Sequence, residues 1–413
     1  MRKIFVLVLA LLAIFLICEA GLYLTGLLPQ DSILESIQDS MPQLKAEYEA
    51  PYVLHNRNRN GIDNFTDCLM LNLSYFMDTR SEPSAILENP IYWEDNLQPY
   101  EELLSVSGHQ DANGSYLNYC MGYRLWLRPM LLGMNYMEIR NAMIFATWML
   151  FGLSLITVCR VSKNALFAAL YTLCIVSLNP IAISSSLTFM TCFIIAFLGV
   201  LFVPLVRSIR GWYGVPLLFL SLGALTQFFD FYTYPLITFA FPMIVLLMMN
   251  ADGIREKSVG MSFRTMFSGL AVWFLGYVGI WLIKLAATQI FTSSDVLSSA
   301  LSAVTNSAGL GNGPAGFLQT LSACMENILT PEVKITFFAV LAGWLVLFIR
   351  NKDRRAMLRE SYVFLAIGVI SLVWIALAKR TYEHRFFQYR ILGVLLLGLF
   401  AFAAQTVRRI KDS

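Results

Sequence analysis

Residues 4–28 read IFVLVLALLAIFLICEAGLYLTGLL, an almost uninterrupted apolar stretch in which Glu19 is the only charged residue. About a hundred largely polar residues follow, and apolar segments dominate the rest of the chain. Of the 413 residues, 57% are hydrophobic and only 14% are charged. This composition excludes an ordinary soluble enzyme, because too few polar side chains remain to cover its surface. The sequence therefore predicts a membrane protein.

Ten segments are apolar and close to the roughly 20 residues that a helix needs to cross a hydrocarbon core of about 30 Å. We predict an all-α polytopic membrane protein with about ten transmembrane helices. The divisions at Asn179–Pro180 and at 230–235 are open, because Pro and polar residues mark either a turn or a kink. The predicted spans are residues 4–28, 139–159, 164–180, 182–206, 214–229, 232–250, 265–291, 333–350, 361–378 and 389–407.

Basic residues predict the orientation of these spans, since Lys and Arg near span ends tend to remain in the cytoplasm. Alternate connections carry most of them, from Arg2 and Lys3 at the start to Arg408, Arg409 and Lys411 at the end. Both termini are then cytoplasmic. The segments predicted outside are residues 29–138, 292–332 and 379–388.

The chain accordingly divides into a first transmembrane helix (1–28), an extracytoplasmic loop domain (29–138) and a nine-helix transmembrane bundle (139–413). The first span has the basic start of a secretory signal peptide, but no A-x-A-like cleavage site follows, so we expect it to be retained. We expect an integral protein of a bacterial plasma membrane, surrounded by membrane lipids. The net charge of +3 reflects topology, and we expect no nucleic-acid partner.

The outer insert contains two predicted helices. Ser32–Ala50 has apolar residues at helical spacing, which predicts an amphipathic helix at the bilayer surface. A second helix is predicted to begin near Asp67, with Thr66 or Asn64 as its cap. Cys68 and Cys120 also lie in the insert, where an oxidising compartment would permit a disulfide that the sequence alone does not decide.

Asp63 and Asp67 are the candidate catalytic residues. Four residues apart, they would share one face of a helix or one pocket at its start, and could supply a general base or bind a divalent cation. Two carboxylates near a turn are more often simply solvated, and their spacing is not that of a calcium loop. We prefer Asp67 as the base, since the apolar residues that follow can hold it in place, whereas Asp63 lies among Asn and Gly.

Cations that fall outside the membrane run against the positive-inside trend and need another explanation. Arg124 and Arg128 repeat at i, i+4 beside several tyrosines, which indicates either an interfacial aromatic belt or a phosphate site. The last outer loop, 379–390, is also basic and aromatic, and its planar guanidinium groups suit a phosphate. The alternative for this loop is contact with ordinary anionic headgroups. Its candidate binding residues are Arg380, His384, Arg385 and Arg390.

Three ionisable residues, Glu19, Asp230 and Lys284, lie within or at the edge of predicted spans, each toward the outer end. Ionisable groups at membrane depth are costly and usually face a cavity or one another. We therefore count Asp230 and Lys284 among the candidate substrate-binding residues, although Lys284 could also extend to the interface.

This arrangement resembles the GT-C class of membrane glycosyltransferases, which have a first span, a long acidic outer loop with interfacial helices, and outer-face recognition of a polyprenyl-phosphate carrier. The resemblance implies Asp63 or Asp67 as the loop acid and Arg380, Arg385 and Arg390 as carrier contacts. It implies transfer of a sugar from a polyprenyl-phosphate-linked donor to a glycan or lipid acceptor outside the cytoplasm. In many of those enzymes the acid lies closer to the first span.

Two other functions stay open. A transporter or flippase for a lipid-linked glycan would use the intramembrane charges along a route through the bundle, although no inverted repeat divides the chain. A glycan polymerase or ligase would act through the outer Arg residues and His384.

Overall fold

The computed structural model describes residues 2–54, 57–208, 213–249, 259–307, 313–350, 354–377 and 381–412. The protein is almost entirely helical, and its only named strands form one short antiparallel pair within the described residues. The bundle consists of α1 (Arg2–Gly26), α7 (Tyr136–Ser162), α8 (Ala165–Ser177), α9 (Pro180–Ser184), α10 (Leu187–Ser208), α11 (Gly214–Phe229), α12 (Leu236–Met249), α13 (Val259–Phe291), α14 (Val296–Ser307), α15 (Gly313–Ile328), α16 (Pro331–Arg350), α17 (Arg354–Leu377), α18 (Arg385–Gln388), η2 (Tyr389–Leu392) and α19 (Gly393–Asp412).

The predicted spans all fall on apolar helices. Within the described ranges, six helical stretches are long and apolar enough to cross a bilayer, as expected for an integral membrane protein. Four more, 165–177, 214–229, 236–249 and 361–377, are apolar but have 17 residues or fewer. The all-α fold is confirmed, and the apolar helices agree with a membrane protein, whereas the count of ten crossings stays a prediction. The six are Arg2–Gly26, Tyr136–Ser162, Leu187–Arg207, Val259–Phe291, Pro331–Arg350 and Arg385–Val407.

Both boundaries that the sequence left open are turns. Helix α8 ends at Ser177, and Asn179 adopts a left-handed φ of 60° while its side chain accepts a hydrogen bond from the Ala182 amide. Asparagine tolerates this backbone conformation better than most residues. The second boundary separates α11 from α12 at residues 230–235. Pro180 and Pro235 therefore each lie at a turn between two helices, and neither kinks one longer helix.

The insert folds as a small helical unit against one end of the bundle. Its longest helix is amphipathic as predicted, with Ile33, Ile37 and Leu44 fully buried. The predicted cap of the next helix is wrong, because Asp63 is the N-cap and accepts from the Thr66 amide. The elements of the insert are α2 (Gln30–Glu49), η1 (Asn58–Asn60), α3 (Asn64–Tyr75), α4 (Ala85–Glu88), β1 (Pro90–Ile91), α5 (Pro99–Ser107), β2 (Gly114–Ser115) and α6 (Arg124–Met130).

The insert contacts helix ends that the Lys/Arg pattern places outside. The Gly122 amide donates to the Phe228 carbonyl near the end of α11, at 2.8 Å. The Asn179 side chain, just beyond α8, donates to the carbonyl of Arg59 at 2.8 Å. The predicted alternation of helix directions agrees with these contacts. Cys68 and Cys120 are free thiols, and they are buried in different hydrophobic clusters.

Helices α11 and α13 approach each other closely at two glycines. A Cβ atom at Gly223 would lie 1.9 Å from the Trp273 carbonyl oxygen, and one at Gly276 would lie 2.2 Å from that of Leu220. Such small residues let membrane helices pack backbone to backbone. The pair is the framework on which the neighbouring turn at 230–235 is held.

Gly223→Ala should therefore destabilise the protein by about 1–3 kcal/mol through overpacking. Gly152→Ala is the matched control, because no atom lies within 4 Å of a Cβ at that position in α7. Thermal unfolding of the purified proteins in one detergent measures the difference. Equal melting temperatures for the two variants would contradict the close contact.

Candidate functional site

Two segments from opposite ends of the chain meet on the face that the sequence predicts to be outside. The turn η1 packs against α18, and a Cβ at Gly61 would lie 3.2 Å from the Phe386 ring. The strand-like residues around Gly61 are fixed in turn, because Gly61 forms an isolated β-bridge with Tyr52 and the Ile62 amide donates to the Pro51 carbonyl at 3.0 Å. The structure thus brings the predicted acidic region beside the predicted basic loop.

Asp63 is held rigidly in this region. Its two carboxylate oxygens accept from the Thr66 amide at 3.0 Å and from the Thr66 hydroxyl at 2.7 Å, and it is only 6% exposed. Burial raises the pKa of Asp63, while the Thr66 hydrogen bonds and the positive charge of His384 act in the opposite sense. Asp63 and His384 are therefore electrostatic neighbours. The sequence-based objection that Asp63 lacks a rigid support does not hold.

Asp67 is completely enclosed and accepts hydrogen bonds from several elements at once. Tyr136 donates its hydroxyl at 2.7 Å, and the backbone amides of Leu187 and Thr188 donate at 3.2 Å each. The hydroxyls of Ser186 and Thr188 donate at 3.2 and 3.0 Å. Asp67 therefore satisfies the first amides of α10, which have no partner within their own helix.

This environment also sets the ionisation of Asp67. Burial raises its pKa to about 7, the charge of Asp63 adds to the rise, and the donors from Tyr136, Leu187 and Thr188 lower it. A general base needs a lone pair that can reach the substrate proton. Asp67 accepts five hydrogen bonds from several elements and has no exposed surface, whereas Asp63 accepts two from Thr66 alone and keeps 6% of its surface exposed, so the geometry favours Asp63 for that role.

A polar network continues inward from Asp67. The Tyr136 hydroxyl also lies 3.3 Å from Glu47, which forms a buried ion pair with Arg140. The Tyr136 amide donates to Ser40 at 2.8 Å, so that one tyrosine links α2, α3 and α7. Removing one member of a buried network leaves its partners unsatisfied.

Asp67→Asn should consequently lower the free energy of unfolding by about 1–3 kcal/mol, since an amide nitrogen cannot accept from the donors that face it. Asp95→Asn serves as the control, because Asp95 is exposed on the same insert. Denaturant or thermal unfolding in detergent reports the change. A variant as stable as the control would show that the cap is dispensable.

Arg390 is fully buried with unused donors. Its Nε donates to the Leu178 carbonyl at 3.1 Å, and its guanidinium carbon lies 4.7 Å from the centre of the Phe189 ring. Among the described residues, neither Nη1 nor Nη2 has a hydrogen-bond partner. Buried donors without partners are costly, so Nη1 and Nη2 can donate hydrogen bonds to an anionic group.

Arg385 lies in a different environment from Arg390. It is half-buried, donates from Nη1 to the Tyr382 carbonyl at 2.9 Å and stacks over the Tyr382 ring at 4.7 Å. Its carbonyl accepts from Asn327 in α15 at 3.2 Å, so it faces that helix. Burial raises the pKa of Cys324 to about 12, and the positive charge of Arg385 opposes this rise. Arg380 lies outside the described residues.

Sequence reasoning missed a group of cations near Arg385. Arg57 and Arg59, in the turn around η1, are close enough to Glu332 at the start of α16 for their charges to interact. Lys334 is exposed on the first turns of that helix. With Arg385 these residues form what we name the basic rim: Arg57, Arg59, Lys334 and Arg385. The signal was available, since all four are outer-side cations, but their proximity depends on the fold.

An apolar cavity of about 190 Å³ lies next to the basic rim, between α15, α16 and α19. Among the described residues, Lys334 is the only charged one that lines it, and it does so with the apolar part of its side chain. The other lining residues are Met325, Ile328, Leu329, Phe337, Phe338, Leu392, Leu395, Leu396 and Leu399.

Arg128 holds the ends of two helices together. Its guanidinium donates to the carbonyls of Thr25 at 3.0 Å, Leu28 at 3.2 Å, Tyr75 at 3.3 Å and Ser74. These carbonyls lie at the ends of α1 and α3, where helices leave acceptors without partners. At most one of the five guanidinium donors remains. The geometry supports a structural role here in place of the predicted phosphate contact.

Unlike Arg128, which belongs to the insert, Lys284 lies in the bundle and donates to the insert. Its ammonium group is buried and donates to the carbonyls of Leu87, at 2.8 Å, and Leu117. These bonds fasten α13 to the insert, which is a structural use of a residue predicted to bind substrate.

Arg124 lies near this junction. Its guanidinium donates to Asn89 Oδ1 at 2.6 Å and to the Met121 carbonyl at 3.1 Å. Burial lowers the pKa of Arg124 to about 10, and the negative charge of Glu19 counteracts the change. Glu19 and Lys284, predicted to share a depth, both act electrostatically on Cys120. Arg124, Glu19 and Lys284 thus form a group of charges that is separate from the basic rim.

Asp230 stabilises the turn between α11 and α12. Its carboxylate accepts from the Thr233 amide at 2.8 Å and from the Thr233 hydroxyl at 2.6 Å. This allows Tyr232 to hold a left-handed φ of 58°, which is unusual for an aromatic residue. A substrate contact at Asp230 stays a prediction.

No three His, Cys, Asp or Glu side chains gather as a metal-ion site within the part of the chain that the structure describes. Comparison with protein-family models, curated proteins and solved structures yields no match for this chain. The function is therefore inferred from the geometry of the face predicted to be outside.

Proposed function

We propose that the protein is a membrane glycosyltransferase that moves a sugar from a polyprenyl-phosphate carrier to an acceptor outside the cytoplasm. The observation that carries the proposal is the meeting of Asp63 with the loop 381–390 on the face predicted to be outside. An acid for the acceptor and cations for the donor phosphate then lie in one region. The ten-span topology with cytoplasmic termini belongs to this proposal.

Asp63 is the proposed general base. It takes the proton from the acceptor hydroxyl as the acceptor oxygen forms a bond to the anomeric carbon. The bond from that carbon to the carrier phosphate oxygen breaks, and the phosphate leaves with the electron pair. Burial raises the pKa of Asp63 and so brings its basicity nearer to neutral pH, while Thr66 keeps the carboxylate oriented.

Cations of the basic rim stabilise the departing phosphate. Arg385 and Lys334 lie on the outer side of the apolar cavity, so they can meet the charged end of a lipid whose chain remains in the membrane region. Arg390, with two unused donors, is a second anion contact nearer to the bundle core. Since Arg385 and Arg390 face different neighbours, we assign the carrier phosphate to Arg385.

Asp63→Asn tests the base directly. Asparagine is as good an N-cap as aspartate, so α3 should remain capped and the melting temperature nearly unchanged. Release of lipid phosphate from a panel of polyprenyl-phosphate sugars should fall roughly 10²-fold or more, the usual contribution of a general base. The control is Asp95→Asn, which should release lipid phosphate at the unmodified rate.

Two results would contradict the proposal. Near-normal release by a well-folded Asp63→Asn protein would exclude Asp63 as the base. An unmodified protein that releases no lipid phosphate from any donor, but moves a lipid-linked glycan across vesicles, would identify a transporter instead.

A further inference from the structure

We infer that the apolar cavity between α15, α16 and α19 holds the single hydrocarbon chain of a lipid phosphate, with the phosphate at the basic rim. The inference rests on the proposed function for identifying this lipid as the sugar carrier. It adds where the chain of the carrier is bound and how the lipid reaches the site.

The cavity lining calls for an apolar occupant. A buried water molecule needs two to four polar partners, whereas the lining of this cavity is apolar and Lys334 contributes only the apolar part of its side chain to it. Apolar cavities of roughly 150 Å³ remain dry and take up apolar ligands such as benzene. At about 190 Å³ this cavity is larger, and it can accept part of a hydrocarbon chain.

The cavity also borders the surface that faces lipid. Phe338 lines it and is 61% exposed, and the neighbouring Ile335 is 71% exposed. On the other wall the lining runs from Leu392 to Leu399, a rise of about 10 Å along the helix axis. A chain can therefore enter sideways from the bilayer between α16 and α19 and lie along the helix.

Charge at the outer end selects the head group. Lys334 belongs both to the cavity lining and to the basic rim. Asn327, two residues after the lining residue Met325, donates a hydrogen bond to the backbone carbonyl of Arg385. Arg59 approaches from the insert through its interaction with the start of α16. These outer cations match a phosphate, and the small cavity matches one chain better than two.

The test is binding of three lipids to the purified full-length protein, measured by native mass spectrometry and by thermal shift. The probes are polyprenyl phosphate, the uncharged polyprenol and phosphatidylglycerol, which has a phosphate but two chains. We expect polyprenyl phosphate to bind at least tenfold more tightly than either of the others. Equal binding of phosphatidylglycerol would overturn the single-chain assignment and indicate a general anionic-lipid contact.

Two variants locate the site. Leu396→Trp fills the cavity and should weaken polyprenyl phosphate binding tenfold or more, since burial of each methylene contributes to affinity. Leu341→Trp, outside the lining on the same side of the bundle, is the matched control and should bind normally. Unchanged binding by a folded Leu396→Trp protein would place the chain elsewhere.

A second variant needs no change of packing. Lys334→Gln with Arg385→Gln should weaken polyprenyl phosphate tenfold and leave polyprenol unaffected, whereas Lys45→Gln, an exposed cation on α2, should change neither. Equal binding of polyprenyl phosphate by the double variant and the control would exclude the basic rim. Asp63→Asn should retain lipid binding, so a loss of sugar transfer by this variant with intact binding tests the base alone. If the unmodified protein binds the lipid but transfers no sugar, only the proposed function is overturned.

Discussion

The half of the molecule predicted to be outside depends on the hydrogen bonds that the buried carboxylate of Asp67 accepts. This carboxylate accepts from the first amides of α10 and from Tyr136 of α7, and it is carried by α3 of the insert. A negative group at a helix N-terminus satisfies amides that have no partner and interacts favourably with the helix dipole. One side chain thereby fixes the insert to the bundle and places Asp63, one turn earlier, above the last outer loop.

Cations complete the attachment by binding backbone carbonyls. Arg128 of the insert binds the ends of α1 and α3, and Lys284 of the bundle binds two carbonyls of the insert. Buried charges without partners are very costly, so these bonds explain how such residues are tolerated near the membrane. They leave the more exposed basic rim, together with the two unused donors of the buried Arg390, available to a ligand.

Local sequence patterns predicted most of the fold. The ten segments predicted from apolar length all lie on helices, and helical spacing predicted α2, because both signals depend only on neighbours in the chain. The role of Asp67 could not be predicted in this way, since its donors come from residues 69 to 121 positions later in the chain. The preference for Asp67 as base rested on its rigidity, which the structure traces to hydrogen bonds with the first amides of α10, and the choice between Asp63 and Asp67 stays a prediction.

The basic rim shows the same limit. Arg57 and Arg59 lie in an Asn-rich turn that suggested only a loop, and their relation to Lys334 arises when η1 packs beside α15 and α18. Outer-side charge was a usable signal for each residue alone. What the sequence lacked was the distance between them, which depends on how the insert sits on the bundle.

The most direct test of this account is a cross-link between residues 61 and 386 in intact cells. Gly61 lies against the Phe386 ring, so Gly61→Cys with Phe386→Cys should form a disulfide, which mass spectrometry of the digested protein would detect. A membrane-impermeant thiol reagent added outside before oxidation should block it. Absence of the cross-link, or its persistence after that reagent, would contradict a single outer site formed by the insert and the last loop.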